Sequence, residues 1–421
     1  MPGSPGRALP GAGSTPDTSR GTAVNLVDPD VYARDGAPHE WFARLRREDP
    51  VHRHEGDPER GWPPFWAVTR YDDVVHVSRH SELFSSHRRL ALFPELPSEQ
   101  IEMQRLMMLN QDPPEHTRRR ALVNRGFTPR TIGRLEQHVR EICHDLVDQV
   151  RERGEADFVR DIAAPLPLYV ICELIGAPVS DRDLLFDLSN CLIGGDDPEY
   201  QPTPDQGRDA ALAIHAYADA LAAERRARPR DDLVTRLLQP DENGDVLSRD
   251  EFDLFFLLLI VAGNETTRNA ASGGMLAFFD HPAQWERLLA DRSLLPGAAD
   301  EIVRWVTPVN LFRRTATRDT VLRDVKIAEN DKVVVFYASA NRDEAVFRDP
   351  GAFDIGRDPN PQIGFGGGGA HFCLGNHLAK LELRVLFEVI AEKLPGIRQT
   401  GPARRLRSNF INGLKELPVA F

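Results

Sequence analysis

The chain has 421 residues, 41% of them hydrophobic and 28% charged, which predicts a soluble globular protein with a large core. A net charge of −12 argues against binding to nucleic acid or to an anionic membrane. The longest apolar run, Leu254–Ala262, is shorter than the ~20 residues that cross a bilayer, and no secretory leader is recognisable.

The cysteines are widely spaced and form no C-x-x-C pair, which argues against a disulfide framework or a zinc knuckle. This pattern is typical of a reducing compartment, and we expect the protein to be cytoplasmic. The cysteines are Cys143, Cys172, Cys191 and Cys373.

The first part of the chain divides into an arm and the start of a folded region. Residues 1–22 consist largely of Pro, Gly, Ser and Thr, so we expect a disordered arm before a single domain at 23–421. Hydrophobic periodicity then predicts the following elements. They are a helix over His39–Arg47, a hairpin of Val51–His52 with Phe65–Thr69, and a helix over Tyr71–Arg79.

Residues 85–110 mix Pro, Met, Leu and Phe without a clear period. Composition alone favours a loop with one buried apolar side. The functional alternative is an adaptable wall over a pocket for an apolar ligand, since Met and Leu side chains fit irregular partners.

The segment Asp112–Glu115 predicts a helix start, with Asp112 as the cap and Pro in the first turn. His116 and Arg120 then lie on one face of that helix. A solvated basic surface is the simpler interpretation of the neighbouring arginines. A His–Arg pair at a helix start could also hold a carboxylate or a phosphate.

Residues 131–240 read as successive helices, and a capping box at Ser248 and Glu251 opens a long helix over about Arg249–Phe279. This helix is apolar all round in its first half, so it should be buried in the centre of the fold. The middle of this helix, Ala262–Thr267, contains Gly, Asn, Glu and two Thr, which are unfavourable residues for a buried helix. A helix kink is one explanation, and a functional site is the other.

A small antiparallel β region follows, with a last hairpin predicted over Leu406–Ala420 around Asn412-Gly413. β-branched and alternating residues indicate its strands. The strands are predicted over Asn310–Thr317, Thr320–Ile327 and Lys332–Tyr337.

The stretch 363–375, IGFGGGGAHFCLG, places Cys373 on a glycine-rich loop before a helical pattern over about Leu374–Leu394. The start of a helix carries free N–H donors and a positive dipole, so we expect the Cys373 thiol to lose its proton easily. Three interpretations compete: a buried structural cysteine, a dinucleotide loop, and a haem-iron thiolate site. The dinucleotide loop is rejected because 351–362 is too rich in Pro, Gly and Asp to be the strand that such a loop requires.

Four motifs in order resemble those of the cytochrome P450 family of haem-thiolate monooxygenases, from about residue 35 to the C-terminus. They are HTRRR at 116–120, AGNETT at 262–267, EIVR at 301–304 and FGGGGAHFCLG at 365–375. The resemblance implies a mainly α fold with a small antiparallel β region, and haem b as the cofactor.

The resemblance also implies roles for individual residues. Cys373 would be the metal ligand, and Glu265 and Thr266 would be the catalytic acid–alcohol pair that delivers protons during dioxygen activation. Glu301 and Arg304 would form a structural ion pair near the haem loop, which is the stretch 363–375. The residues implied to bind the cofactor are His116, Arg120, Ala262, Arg314, Phe365, Gly366, His371, Cys373 and Gly375.

Two departures from the family pattern concern the haem loop and the ion pair. The loop aromatic, Phe365, stands one residue early, so the loop is one residue longer. The Arg that usually completes the EIVR network is missing near Pro350–Phe353, and Arg357 is the candidate substitute.

The departures and the flanking sequences resemble actinobacterial members that oxidise steroid side chains and branched lipids. The implied substrate is therefore a steroid, a terpenoid or a methyl-branched lipid, hydroxylated with O2. The alternative is the tailoring of polyketides or macrolides. The predicted pocket walls are Leu90–Met108, Leu258–Thr266, Val309–Phe312 and Phe410–Ile411.

No flavin or iron–sulfur motif is recognisable, so electrons must come from outside the chain, by resemblance from a ferredoxin and its reductase. We expect a monomer that meets an acidic partner at a basic surface formed by Arg118, Arg119, Arg125, Lys380 and Arg384. A peroxide-driven hydroxylase is disfavoured by the intact pair Glu265–Thr266. A non-catalytic haem protein that binds a ligand or senses a gas is the rival of another class.

Overall fold

The computed structural model describes residues 25–92, 95, 101–102, 104–193, 196–200 and 203–421. The predicted disordered arm and part of the predicted wall at Leu90–Met108 lie outside these residues. Among the described residues, no helix is both long enough and apolar enough to cross a bilayer.

The described part of the chain is mainly helical. In chain order, its α-helices are α1 Pro29–Asp35, α2 His39–Glu48, α3 Tyr71–Arg79, α4 Glu115–Asn124, α5 Pro129–Arg134, α6 Glu136–Arg151, α7 Pro165–Ile175, α8 Arg182–Ile193, α9 Pro204–Ala227, α10 Leu233–Leu237, α11 Arg249–Asp280, α12 Pro282–Ala290, α13 Leu295–Val306, α14 Tyr337–Ala340 and α15 Asn376–Lys393.

The strands are short. They are β1 Val51–His54, β2 Phe65–Val68, β3 Phe84–Ser85, β4 Glu155–Asp157, β5 Leu311–Ala316, β6 Thr320–Leu322, β7 Val325–Ile327, β8 Lys332–Phe336, β9 Arg398–Gln399, β10 Arg404–Arg405, β11 Leu414–Glu416 and β12 Pro418–Ala420. The largest sheet has the order β1-β2-β8-β5-β3, and the others are β4-β12-β9, β10-β11 and β6-β7.

The long central helix is confirmed. α11 starts at the predicted capping box, in which Ser248 and Glu251 bond reciprocally. It packs against α7, α8, α9, α13 and α15, so it lies in the middle of the helical core. This position follows from an apolar surface that surrounds the first half of the helix.

The predicted elements near the N-terminus are also confirmed. The helix over Tyr71–Arg79 has the predicted bounds, the helix that starts at His39 ends one residue later than predicted, and β1 pairs antiparallel with β2. The β region differs in one respect from the prediction, because β2 pairs parallel with β8 while the other strand pairs are antiparallel.

Two local predictions are wrong. Asp112 does not cap α4, because its carboxylate accepts hydrogen bonds from Ser85 Oγ and from the Ser86 N–H at 2.8 Å. Asn412-Gly413 is not a tight hairpin turn either, since the Asn412 N–H donates to Pro308 O at 2.9 Å. In both cases a partner distant in sequence replaces the local hydrogen bond that the pattern suggested.

Candidate functional site

A cavity of about 250 Å³ opens inside the helical core, between α11, β5, the loop before α15 and the start of α15. This volume is many times the ~30 Å³ share of one water molecule, so the cavity is a binding site rather than a packing defect. Glu265 is the one predicted site residue that does not line it. The predicted residues on its wall are His116, Arg120, Ala262, Thr266, Arg314, Phe365, Gly366, His371, Cys373 and Gly375.

The glycine loop brings Cys373 to the cavity wall. The Cys373 N–H donates to Phe365 O at 2.9 Å and closes the loop. Gly366 has a φ of +99° and Gly369 one of +76°, a region that other residues rarely adopt. A Cβ on Gly369 would also lie 2.6 Å from Ser78 O, so the loop packs directly on the backbone of α3. The backbone of this loop thus favours glycine at both positions.

The protonation of Cys373 differs from the expectation of an acidic thiol. Burial raises the pKa of Cys373, and the hydrogen bond with the Gly375 backbone and the charge of Arg120 offset this only in part. α15 begins at Asn376, so Cys373 lies just before the helix rather than within its first turn. The loop therefore presents a neutral thiol that a metal ion would have to deprotonate.

Four polar side chains on the same wall form no ion pair with a carboxylate of the described residues. His116 Nδ1 and His371 Nε2 are buried without hydrogen-bond partners, and the two rings lie 4.4 Å apart. Arg314 is 4% exposed and donates to the Arg313 carbonyl at 2.7 Å, and Arg120 donates to Phe372 O at 2.6 Å. Neither arginine has a carboxylate within 4 Å among the described residues.

The local field is positive and would favour a bound anion. Burial and the charge of Arg120 lower the pKa of His116 to about 4, and burial and Arg314 lower the pKa of His371 well below its usual range. Buried cations without partners are costly, and carboxylates bind arginine with paired hydrogen bonds. The wall therefore fits a flat group with acidic arms, such as a haem whose propionates reach these residues and whose iron lies at Cys373.

The acid and the alcohol of α11 face different surroundings. The Thr266 hydroxyl lines the cavity and donates to Ala262 O at 2.7 Å. Glu265 is 1% exposed and forms a buried ion pair with Arg268, which also donates to Asn190 Oδ1 at 2.7 Å. Burial raises the pKa of Glu265, while Arg268 lowers it. Glu265 Oε1 has no partner, so its carboxylate is only half satisfied.

Sequence analysis did not identify Arg268 or Asn190 as part of this site. The spacing of Glu265 and Arg268 by one helical turn was the available signal. Asn190 comes from α8, and no local pattern could have linked it to α11.

The buried ion pair of α13 supports the haem loop. Glu301 and Arg304 are both 0% exposed and 2.7 Å apart, and Arg357 Nε lies 3.2 Å from Glu301 Oε2. Arg357 therefore occupies the place of the missing Arg in the network. Arg304 also donates to Asn341 O at 2.9 Å, and Asn341 Oδ1 accepts the Ile363 N–H at 2.8 Å, where the loop begins.

The rest of the cavity wall is mainly apolar, although Thr267, Tyr337 and Glu382 also line it. Phe410 and Ile411, which were predicted to line it, lie behind it instead: Phe410 packs on the Phe312 ring at 5.5 Å, and Ile411 pairs with Val309. The apolar wall consists mainly of Met108, Leu109, Phe127, Ile171, Phe255, Leu258, Leu259, Val309, Phe312 and Leu378.

Comparisons with known proteins point to one family. The model of the family "Cytochrome P450" matches residues 200–393. The chain is 47% identical to a steroid C26-monooxygenase of Rhodococcus jostii strain RHA1, over 94% of this chain and 84% of that protein. It is 43% identical to a methyl-branched lipid omega-hydroxylase of Mycobacterium bovis, over 94% of this chain and 92% of the other.

A solved structure is similar over nearly the whole fold. The cytochrome P450 CYP268A2 of Mycobacterium marinum, in complex with pseudoionone, superposes with a TM-score of 0.85 at 40% sequence identity. The alignment covers 91% of this chain and 94% of that one.

Proposed function

This chain belongs to the cytochrome P450 family of oxygen-dependent monooxygenases, and from that membership we propose that it hydroxylates a branched alkyl chain on a steroid, a terpenoid or a methyl-branched lipid. The observation that carries this proposal is the cavity itself. Its wall is mainly apolar along α11 and at Val309 and Phe312, and Thr266 offers a hydroxyl group there. Such a wall selects a large apolar molecule and presents a proton donor beside it.

Haem is the cofactor of the family, and we infer haem b. Cys373 would bind the iron, while His116, Arg120, Arg314 and His371 would hold the two propionates. When bound, the haem supplies the chemistry that reduces dioxygen with two electrons and two protons, places one oxygen atom in a C–H bond and releases the other as water.

Thr266 and Glu265 would handle the protons. The Thr266 hydroxyl can turn from Ala262 O toward the cavity and present its proton there. Glu265 faces away, so it can supply that hydroxyl only after its carboxylate leaves Arg268. Burial raises the pKa of Glu265, so its carboxyl binds a proton more readily than an exposed one and is suited to pass it on. Arg268 is thus a positioning residue for the acid.

The substrate class can be tested with the purified holoenzyme. A steroid with an alkyl side chain, a methyl-branched fatty acid and a macrolide would each be titrated while the haem absorbance reports the spin state. We expect saturable shifts with the first two compounds, and oxidation near the end of the alkyl chain in turnover with a ferredoxin system. A shift and a product with the macrolide alone would favour natural-product tailoring. Normal reduction without product from any compound would favour the non-catalytic rival.

We also propose a ferredoxin as the electron donor, but at a different surface from the one predicted. Arg118 and Arg119 pair with Glu251, Lys380 pairs with Asp300 at 2.6 Å, and Arg384 pairs with Glu136 at 2.8 Å. These pairs neutralise most of the predicted basic surface. The candidate contact is therefore the edge of the haem loop.

The edge of the haem loop carries an exposed aromatic ring and a free cation. Phe372 is 39% exposed, and Arg79 is exposed and has no carboxylate within 4 Å among the described residues. We expect Arg79→Glu to slow reduction by ferredoxin more at low than at high ionic strength, measured by stopped flow. Arg208→Glu, a change of the same charge on α9, is the control. Equal rates for both variants would refute docking at this edge.

A further inference from the structure

A second cavity, of about 200 Å³, lies further along α11, toward the C-terminal end of that helix. Four parts of the chain enclose it with α11. They are the junction of α1 and α2, the end of α13, the second residue after α14, and the region of β10 and β11. Its main polar lining residues are Asp35, His39, Asn269, Asp280, Arg342, Arg405 and Asn412. None of these residues lines the haem-side cavity, which is the first cavity described, at Cys373.

Arg342 lines this cavity and forms no ion pair within 4 Å with any described residue, although the charge of Glu301 acts on it. Its guanidinium lies 3.6 Å from the centroid of the Trp305 ring and donates to two main-chain carbonyls, Trp305 O at 3.4 Å and Pro350 O at 3.2 Å. Its Nε is buried and has no acceptor. Other buried arginines have carboxylates: Arg46 pairs with Glu344 at 2.9 Å, and Arg304 with Glu301 at 2.7 Å.

Arg405 is in the same situation. It is partly buried, and its guanidinium lies over Gly36, where an added Cβ would be 3.2 Å from Cζ. No side-chain hydrogen bond and no carboxylate within 4 Å satisfies it among the described residues. The neighbouring Arg404 differs, because it pairs with Glu199 at 2.6 Å and with Glu416. Strand β10 thus presents one satisfied and one unsatisfied arginine.

The less exposed charges of this cavity are positive, whereas Asp35 and Asp280, whose charges act on Arg405, are exposed. Burial and the charges of Arg342, Arg46 and Arg405 lower the pKa of His39 to about 3, and the buried His39 Nδ1 has no partner. Burial and Arg304 lower the pKa of Arg342 to about 9. Buried cations are normally paired, so this arrangement resembles the one that Arg120 and Arg314 form in the haem-side cavity.

We propose that the second cavity binds a short-chain monocarboxylate between Arg342 and Arg405. A carboxylate matches the planar fork of a guanidinium, and Leu276, Ala277 and Val306 offer an apolar floor for a short alkyl tail. Asp35 and Asp280 are exposed residues of the same cavity, and they disfavour an anion of higher charge such as inorganic phosphate.

The bound carboxylate would touch a segment that also supports the substrate wall. Asn412 and Gly413 line the second cavity, and the preceding residue, Ile411, pairs with Val309, which lines the haem-side cavity. The second site is therefore placed where its occupancy can alter the packing behind Val309.

Calorimetry on the holoenzyme tests the proposal, because bound haem then occupies Arg120 and Arg314. Butyrate and inorganic phosphate would be titrated separately at constant ionic strength. We expect one saturable butyrate site, at least about tenfold weaker in Arg405→Gln and in Arg342→Gln, the loss expected for a charge-assisted hydrogen bond. Arg404→Gln is the matched control and should bind like the parent. Arg405→Lys keeps the charge without the planar fork and should lose only part of the affinity.

Three results would overturn the proposal. Equal butyrate binding by Arg404→Gln and Arg405→Gln would mean that the cavity is not the site. Binding of phosphate but not butyrate would contradict the chosen ligand class. Weak, non-saturable heats that depend on salt alone would indicate an adventitious ion only.

Discussion

The buried pair of Glu265 and Arg268 gives a sharp prediction about stability and pH. Replacing Arg268 with Met removes the cation and leaves a carboxylate that is 1% exposed, with Oε1 already unpartnered. Breaking a buried pair in this way costs about 3–5 kcal/mol when the remaining group stays charged. In a chain of this size that loss corresponds to a decrease of roughly 3–6 °C in the midpoint of thermal unfolding.

The pH dependence has a definite sign. Burial already raises the pKa of Glu265, and the loss of Arg268 would raise it further, above the value of about 4.3 in the unfolded chain. The folded variant must then bind a proton that the unfolded chain releases, so its stability falls as pH rises above that unfolded value. Arg268→Met should therefore lose more stability at pH ~8 than at pH ~5.

Differential scanning calorimetry of the holoenzyme at both pH values would measure this. Glu265→Gln combined with Arg268→Met should recover much of the loss, because no buried charge then remains. Arg208→Met, which removes an exposed arginine on α9, is the control and should change the midpoint little. Equal destabilisation at the two pH values, or no recovery in the double variant, would refute the buried charge as the cause.

The remaining predictions concern the haem side of the cavity. Cys373→Ser should abolish the red-shifted absorbance of the reduced carbon monoxide complex, and an unchanged spectrum would exclude Cys373 as the ligand. Thr266→Ala should retain haem but divert reducing equivalents to peroxide, so full coupling of NAD(P)H consumption to product would contradict its role in proton delivery. Gly369→Ala should lower the haem content of the purified protein, because its Cβ would clash with Ser78 O at 2.6 Å, whereas Gly351→Ala meets no atom within 4 Å and should retain haem.

Sequence patterns predicted the elements whose signals are local. The capping box at Ser248 and the apolar run after it fixed the start and the burial of α11, because both depend on neighbours within a few residues. The glycine loop before Cys373 was recognisable for the same reason. Its backbone needs glycine at Gly366 and Gly369 whatever surrounds it, and the structure shows positive φ at both.

Sequence patterns could not predict the features that depend on contacts between distant segments. Asp112 has the appearance of a helix cap, but Ser85 and Ser86 compete successfully for its carboxylate. Glu265 and Thr266 are adjacent in sequence and were predicted as a functional pair. A step of about 100° around a helix separates their side chains, so Thr266 faces the cavity while Glu265 faces Arg268.

The arginines illustrate the same limit more generally. Arg118, Arg119 and Arg120 form one run in the sequence. Glu251 neutralises the first two, whereas the third forms no ion pair with a described carboxylate. Pairing with a carboxylate therefore distinguishes a structural cation from one available to a ligand, and only the fold determines that pairing.

Among the described residues, unpaired arginines recur at both cavities along α11, Arg120 and Arg314 at one and Arg342 and Arg405 at the other. The first pair fits the propionates of a haem. Asp35 and Asp280 line the second cavity but form no ion pair with Arg342 or Arg405, so an anion from solution is expected to satisfy these arginines at least in part.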